Sequence, residues 1–579
     1  MTNAEIARIL REIAVFLDME SVPFKPRAYE KAAYAIDALD EPLVDVHRRG
    51  GLKAVEQLPG VGKSIAEKIV VLIESGHLPY YEELCAKTPV DISGLVAIEG
   101  LGPKNIKILY EELGVRTVAD LEEAARAGKI RSLARFGEKS EQKILKGIGF
   151  LKQSGGRFPL GTVLPLLIAI EARLRALPGV KDVAIAGSVR RRKETVGDGD
   201  VLVVSSAPDA VMDFFVGMPE VVHVHGKGPT KSSVKLNSGM DVDVRVVPAQ
   251  SFGAALNYFT GSKDHNVALR RLAIERGLKF NEYGVFRGET AIAGKTEEEV
   301  YAVLDLPYIP PEMREMTGEI EAAAAGKLPA LVGYDDVRGD LQTQTTWTDG
   351  ANSIEEMAAE AQRLGLQYMA ITDHTRSLAM TGGSDEKKLR QQMAAIDKIN
   401  KTLSGFTILK GAEVNINKDG TLDIDDATLA QLDVVGVAVH SHFNLSRADM
   451  TERIIRAMEN PHADILFHPT GRMLQRREAY DIDIDAIIAT AKRTGTVLEI
   501  DGYPERLDLK DEHVRKAIAA GVKLAVDTDA HSINHLQYLH FGIATARRGW
   551  ATKSDIVNTK PLKAFLATLK GQRRDPRRA

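Results

Sequence analysis

Ala186-Gly187-Ser188-Val189-Arg190-Arg191, followed closely by Gly197-Asp198-Gly199-Asp200 and the β-branched run Val201 to Val204, decides how this chain is read. In a strand alternate residues face the same way, so Asp198 and Asp200 project from one face. Two carboxylates so placed can hold a hard divalent cation such as Mg²⁺ through oxygen, but they need a third ligand. Met240-Asp241-Val242-Asp243-Val244-Arg245 offers one if it forms a strand beside the first. Three carboxylates holding two metals would lower the pKa of an attacking hydroxyl and stabilise a pyrophosphate leaving group. After the Gly187 turn, Ser188 and Arg191 could hold a triphosphate, Arg191 by charge-assisted hydrogen bonds. A lone Asp-x-Asp is common on surface strands; joined to the upstream Gly-Ser-x-Arg-Arg it points to nucleotidyl transfer.

Upstream, residues 1–150 are dense in helix-period patterns such as Ile6, Ile9, Leu10 and Ile13, and are expected to be all-helical. Within them, Leu58-Pro59-Gly60-Val61-Gly62 followed by Ile65, Ile69 and Leu72 recurs as Ile98-Glu99-Gly100-Leu101-Gly102 followed by Ile106 and Leu109. Glycine pairs at such turns let backbone N–H groups approach a phosphate. One turn of this kind reads as packing. Two at a fixed offset, with Lys63, Lys68, Lys104 and Lys107 nearby, favour helix-hairpin-helix contacts to a DNA backbone.

Downstream of the glycine turn, Val183 to Ala186, Val201 to Val204, Val221 to Val224 and Val242 to Val247 predict a mainly antiparallel sheet, followed by a helical stretch from Phe252 to Gly277. Thr317 to Asp340, rich in alanine and punctuated by Gly326, Pro329 and Gly333, reads as a linker. Beyond it, Tyr368 to Thr372, Val434 to Val439, Ile465 to Phe467, Val497 to Ile500 and Lys523 to Val526 alternate with helical segments, which predicts a parallel α/β sheet or barrel. Nine of the 14 histidines fall after residue 330. Asp349, His374, Glu413, His440, His468, Asp529 and His531 form a set of imidazoles and carboxylates suited to Zn²⁺, Mn²⁺ or Fe²⁺, and metals clustered there would activate water for phosphoester hydrolysis.

Composition sets weaker bounds. With 579 residues, 44% hydrophobic and 27% charged, the chain can build several cores. Net charge is −4, from 76 basic and 80 acidic residues, and neither half is basic as a whole, so DNA binding must rest on local lysines, arginines and backbone amides. Cys85 is the single cysteine, no export signal precedes it, and the longest apolar run, Val163 to Ile170, is far short of the roughly 20 residues of a membrane span. A cytoplasmic monomer that makes no use of membranes is expected. The terminal Arg573, Arg574, Arg577 and Arg578 read as a solvated end.

The motifs resemble those of family X DNA polymerases, of which polymerase beta is the familiar member. The matching stretches are Leu58-Pro-Gly-Val-Gly62, Phe136-Gly-Glu-Lys139, Gly187-Ser-Val-Arg-Arg191, Gly197-Asp-Gly-Asp200, Asp243-Val-Arg245 and Tyr258-Phe-Thr-Gly-Ser262. The resemblance implies a multidomain α+β chain: a helical domain with the first hairpin (1–85), fingers with the second (86–150), a nucleotidyltransferase palm (151–250), a thumb (251–316) and a linker (317–340). It implies Asp198, Asp200 and Asp243 as catalytic ligands of Mg²⁺ or Mn²⁺. Gly187, Ser188, Arg191, Gly197, Tyr258, Phe259, Gly261, Lys263 and Asn266 would surround the nucleotide, with Tyr258 and Phe259 against its sugar and Asn266 near the base. Gly60, Gly62, Lys63, Gly100, Gly102 and Lys104 would hold DNA.

Asp241 stands where polymerase beta has a basic residue, and Lys263 where it has an acidic one. Lys68 matches a lysine that forms a Schiff base with an abasic sugar, a deoxyribose-phosphate lyase chemistry that needs a neutral amine. Ser64 replaces a second lysine there and removes a charge that would depress its pKa.

Residues 341–579 resemble the polymerase and histidinol phosphatase (PHP) domain, which implies a (β/α)7 barrel with a trinuclear metal site and a metal-dependent 3′-5′ exonuclease. Where that family has His-x-His, this chain has Gln342-Thr343-Gln344, so the cluster is expected to be incomplete and the exonuclease weakened or lost, leaving the barrel partly a scaffold. The implied substrates are deoxynucleoside triphosphates and gapped or primer-template DNA, in repair such as base excision repair. Two other readings stay open here: a nucleotidyltransferase with another acceptor, and a non-catalytic DNA-binding scaffold.

Overall fold

The computed structural model describes residues 1–570 except Thr2, Ala38, Asp40, Pro59, Ala97, Glu99, Gly100, Ser154, Gly155, Ala379 and Met380. Gly100 of the second glycine turn and the terminal arginines therefore lie outside the described residues. The chain divides into two compact units, residues 1–155 with 475–478, and the remainder.

The first unit is built of helices, with no strand among its described residues. Helix Asn3–Met19 serves two cores because its apolar side chains recur at helical spacing along its whole length. Ile6, Leu10 and Ile13 pack with Ile65, Ile69 and Leu72, while Phe16 and Met19 pack with Ile92, Leu95, Ile106 and Leu109. The sequence repeat is thus realised as two equivalent helices, α1 (Lys63–Ser75) and α2 (Pro103–Leu113), one in each core. Each starts at a glycine, Gly62 or Gly102, and ends at a left-handed glycine, Gly76 or Gly114.

The second unit opens with α3 (Leu160–Arg175), packed on a five-stranded sheet of β1 (Val180–Ile185), β2 (Asp198–Ser205), β3 (Val221–Lys227), β4 (Lys231–Leu236) and β5 (Asp241–Val246). The order is β1-β2-β5-β4-β3, with β2 and β5 parallel and the other pairs antiparallel. Strand β4 was not anticipated, since Lys231-Ser-Ser-Val-Lys235 has no apolar run; only alternate residues enter the core. The short helix α4 (Gly187–Arg190) joins β1 to the β2 region. Helices α5 (Phe252–Thr260) and α6 (Lys263–Glu275) and a small antiparallel sheet, β6 (Lys279–Asn281), β7 (Gly284–Arg287) and β8 (Thr290–Ala293), enclose a separate core around Leu269, Val285, Val300 and Ile309.

The stretch read as a linker is not extended throughout. It carries α7 (Glu319–Ala324), whose first residue is fully buried and hydrogen-bonds His265 at 2.8 Å.

Seven parallel strands follow in chain order: β9 (Gly339–Thr343), β10 (Tyr368–Ile371), β11 (Thr407–Asn415), β12 (Val434–Ala438), β13 (Ile465–Leu466), β14 (Val497–Asp501) and β15 (Leu524–Asp527). Residues beyond β15 return to β9, where Thr343 bridges Ala530, so the sheet closes on itself. Strand β9 escapes a hydrophobicity scan because three of its five residues, Asp340, Gln342 and Thr343, are polar, although all five are buried. The barrel and the acid-bearing sheet share a core: Leu507 and Phe541 pack among Leu167, Val201, Val203 and Val244. A Cβ on Gly161 would lie 2.2 Å from Pro504, so the start of α3 lies directly against a barrel loop. Two helices on this side, α8 (Asp511–Ala520) and α9 (Leu539–Arg548), complete the elements used below.

Candidate active sites

Strands β2 and β5 run parallel with Asp198 opposite Asp241 and Asp200 opposite Asp243. The two-residue strand period then puts all four carboxylates on one face and Val201, Val203, Val242 and Val244 in the core on the other. Asp200 is pushed up to about 7, first by burial and then by Asp198 and Asp243. Asp243 accepts from Ser233 Oγ at 2.5 Å and from Lys231 Nζ at 2.9 Å. A crowded, partly buried carboxylate triad of this kind fits a divalent cation. Asp241 is spent locally: His225 Nε2 at 2.8 Å and Lys235 Nζ at 3.0 Å hold it below the usual carboxylate range.

Asp198 and Asp200 line a cavity of about 460 Å³ together with Gly187, Ser188, Arg191, Tyr258, Phe259, Gly261, Lys263 and Asn266. Arg270 also lines it, unanticipated, one helical turn beyond Asn266. Gly197 precedes β2 and is not part of this lining. Gly187 has φ +63° and a Cβ there would lie 2.5 Å from Asp200 Oδ2, so the loop approaches the acid only because the residue is glycine. Asn266 Nδ2 donates to the Tyr258 carbonyl at 2.6 Å, and its buried Oδ1 has no hydrogen-bond partner among the described residues.

The two arginines of the motif divide their tasks. Arg190 turns away to pair with buried Glu297 at 3.0 and 2.6 Å, whereas Arg191 faces the cavity, donating to the Thr260 carbonyl and pairing with Glu315 at 3.0 Å.

In the first unit, no side chain among the described residues caps α1 or α2, which leaves the first backbone N–H groups of α1, and those after Pro103 in α2, at the glycine turns. Gly60 is left-handed at φ +74°, and Lys63 and Lys104 are exposed. Lys68 Nζ donates to Ser64 O and Oγ, both at 3.1 Å, and lies 5.0 Å from the Tyr80 ring centre.

The seven metal-ligand candidates of the barrel come together at the C-terminal ends of its strands. Glu413 is the hub, with His440 Nε2 at 2.8 Å, His468 Nε2 at 2.9 Å and His374 Nδ1 at 3.4 Å. Asp349 Oδ2 lies 3.7 Å from His374 and 3.8 Å from His531, whose Nδ1 faces Asp529 Oδ1 at 3.8 Å. Two ion-sized groupings result, Asp349-His374-His531 and His374-Glu413-His440. Burial raises the cost of ionising Glu413, yet the facing His374 and His440 carry it well below the usual range. Burial pushes His374 and His468 down, toward the neutral imidazole that ligates metals.

Gln342 and Gln344 behave differently. Gln344 Nε2 donates to Glu413 Oε2 at 2.7 Å, engaging an oxygen that a metal would require, and both side-chain polar atoms of Gln342 are buried without a partner among the described residues. The His and Glu part of the site fits metal ions, and the amide part does not complete a three-metal set. Sequence reasoning missed Arg506, which reaches in from the loop after β14 to lie 3.3 Å from Asp529 and 3.5 Å from Asp501. Its place just beyond a strand end was the available signal.

Comparison with known proteins finds matches along the chain. Residues 1–78 match the helix-hairpin-helix domain, 92–149 the SAM-like helix-hairpin-helix tandem, 255–315 the DNA polymerase beta thumb and 340–505 the PHP domain. The chain is 39% identical over 578 residues to the DNA polymerase/3′-5′ exonuclease PolX of Bacillus subtilis, covering 98% of this chain and 100% of that protein. It is 26% identical over 344 residues to DNA polymerase lambda of Rattus norvegicus, 54% of this chain and 56% of that one. A probable phosphatase of Thermoanaerobacter sp. is 31% identical over 231 residues, 38% of this chain and 89% of that protein. The chain belongs to the family X DNA polymerases that carry a helix-hairpin-helix region, a polymerase beta thumb and a PHP domain.

Proposed function

We propose that this chain fills short gaps in DNA during repair, adding deoxynucleotides to a primer 3′-OH at the cavity of β2 and β5. The observation that carries the reading is the register of β2 and β5, which sets Asp200 beside Asp243 on the face open to the Gly187–Arg191 turn. Asp198, Asp200 and Asp243 would hold Mg²⁺ or Mn²⁺. When bound, these ions supply a more acidic 3′-hydroxyl and charge neutralisation for the departing pyrophosphate.

The chain's own residues do the positioning. Ser188 and Arg191 bind the triphosphate, Arg191 by its guanidinium fork. Tyr258 and Phe259, held edge to face at 5.2 Å, present bulk to the sugar and so exclude a ribose 2′-OH. Asn266 offers its unpartnered Oδ1 toward the base, and Lys263 and Gly261 close the same wall. In the palm, Arg190 and Glu297 keep α4 docked on the thumb, which fixes Arg191 relative to α5. The glycine turns at Gly60, Gly62 and Gly102, with Lys63 and Lys104, hold phosphates of the DNA without reading its sequence.

At the barrel, Asp349, His374, Glu413, His440, His468, Asp529 and His531 would hold Zn²⁺, Mn²⁺ or Fe²⁺ in an incomplete cluster, with a weakened 3′-5′ exonuclease. The enzyme works as a cytoplasmic monomer. Single-nucleotide extension on gapped DNA by wild type and by Asp243→Ala tests the reading. Loss of extension is expected, and extension that survives the substitution sinks the metal assignment.

A further inference from the structure

Helix α9 ends in two arginines that both reach the polymerase half. Arg547 Nε pairs with Glu312 at 2.7 Å. Arg548 is more buried, its side chain 6% exposed. Its Nη1 donates to the main-chain carbonyl of Arg191 at 2.8 Å and to Glu315 Oε1 at 3.1 Å, and its Nη2 donates to Asp511 Oδ2 at 2.6 Å. From the other side, Arg191 Nε donates to the same Glu315 Oε1 at 3.0 Å. Arg191, Glu315, Arg548 and Asp511 therefore alternate in sign, and one carboxylate oxygen serves two guanidiniums.

We infer that Arg548, a barrel residue, is a positioning residue for nucleotide addition: it takes up part of the charge of Glu315, freeing the Arg191 guanidinium for an incoming triphosphate. The inference rests on the proposed role of Arg191. Glu315 and a triphosphate are both anions and compete for one cation. While Arg548 shares Glu315, that competition is weak. Without Arg548, a largely buried carboxylate is left to Arg191, whose attraction grows in the low-dielectric surroundings. Burial opposes the charge of Glu315, yet Arg191, Arg548 and Lys193 together hold its carboxyl below the usual range, so it is ionised whenever nucleotide binds. The effect falls on binding of the nucleotide in the ground state and therefore on KM.

The test uses the full chain in steady-state extension of gapped DNA, with melting curves to establish that each variant is folded. Arg548→Met is expected to raise KM for the nucleotide about tenfold, equivalent to about 1.4 kcal/mol, with kcat within about twofold. Arg548→Lys, which keeps a charge but not the fork, should restore most of the loss. In a Glu315→Gln background Arg548→Met should change KM by less than about twofold, because the competing charge is gone.

A wild-type KM in folded Arg548→Met overturns the inference. So does a fall in kcat at unchanged KM, or an equal rise in KM with and without Glu315. If Arg548→Met fails to fold, the same cycle is run with Arg548→Gln, which also removes the charge, and an effect independent of Glu315 again overturns it. Arg191→Ala separates the two failures: an unchanged KM there removes the proposed role of Arg191 itself, whereas a raised KM alongside a silent Arg548→Met removes only the inference.

Discussion

Glu297→Gln should destabilise the palm and thumb by about 3 kcal/mol at neutral pH, for reasons that can be worked from the site. Glu297 is 5% exposed and accepts from Arg190 at 3.0 and 2.6 Å, from Arg314 Nη1 at 2.7 Å and from Tyr308 at 3.3 Å. Arg314 is fully buried, with Tyr301 and Tyr308 rings each 5.3 Å away. Burial alone would raise the Glu297 carboxyl, but Arg314 and Arg190 hold it at about 2 against an ordinary 4.5. That depression corresponds to about 3 kcal/mol. Removing one partner of a buried ion pair costs about 3–5 kcal/mol, which agrees.

A depressed carboxyl contributes stability above its unfolded pKa and loses it as pH falls through the folded one. The gap between wild type and Glu297→Gln should hold at about 3 kcal/mol at pH 7 and shrink to about 2 kcal/mol at pH 3.5. Urea unfolding followed by Trp550, which packs against the thumb core, in a Trp347→Phe background gives the measurement. A gap below about 1 kcal/mol at pH 7, or one that does not change with pH, refutes the reasoning.

Three further outcomes are expected. Mg²⁺ added after EDTA should raise the melting temperature of wild type but not of Asp200→Asn, whose neutral amide relieves the repulsion from Asp198 and Asp243 without a cation; equal Mg²⁺ shifts in both would contradict this. Gln342→His with Gln344→His should add about one tightly bound metal ion per chain by elemental analysis and increase 3′-5′ trimming of single-stranded DNA on the order of tenfold, since a metal ligand replaces the Gln344 donor on Glu413; an unchanged metal content would refute it. Lys63→Ala with Lys104→Ala should weaken gapped-DNA binding alike for all sequences and lower the slope of log K against log salt by about 2, and an unchanged slope would exclude both lysines from the phosphate contacts.

Much of the molecule was legible because its signals are local. The glycine turns, the Asp-x-Asp strand and the strand-end histidines each follow from a spacing within a few residues. The parts that escaped depend on partners distant in the chain. Strands β4 and β9 carry polar residues whose burial comes from neighbouring strands, so no apolar run announces them. The helix α7 inside the stretch read as a linker was not visible, because Glu319 is buried by a contact with His265, which no composition rule detects. Arg190 and Arg191 are adjacent and chemically alike. Only Glu297 and Glu315, each more than 100 residues away in sequence, assign one to the thumb and the other to the nucleotide cavity. Gln342 and Gln344 were visible as a departure, but the amide donating to Glu413 rather than merely failing to ligate is a geometric fact.

The contacts of the barrel bear on how its two roles can be separated. Ending the chain at residue 330 would strip Leu507 and Phe541 from the palm core, at about 1.5–3 kcal/mol each. It would also leave Glu312 and Glu315 without Arg547 and Arg548, as carboxylates half-buried or deeper that have lost a charged partner. Those losses together approach the whole stability of an ordinary domain. Truncation should therefore abolish gap filling even if the barrel contributes no chemistry to it. His440→Ala removes a ligand candidate and the hydrogen bond to Glu413 yet touches none of these contacts, so polymerase activity should stay within about twofold of wild type. Full gap filling by folded 1–330 would show that the polymerase needs neither the shared core nor the α9 arginines, and its loss in folded His440→Ala would show that the barrel supports it through its metal site.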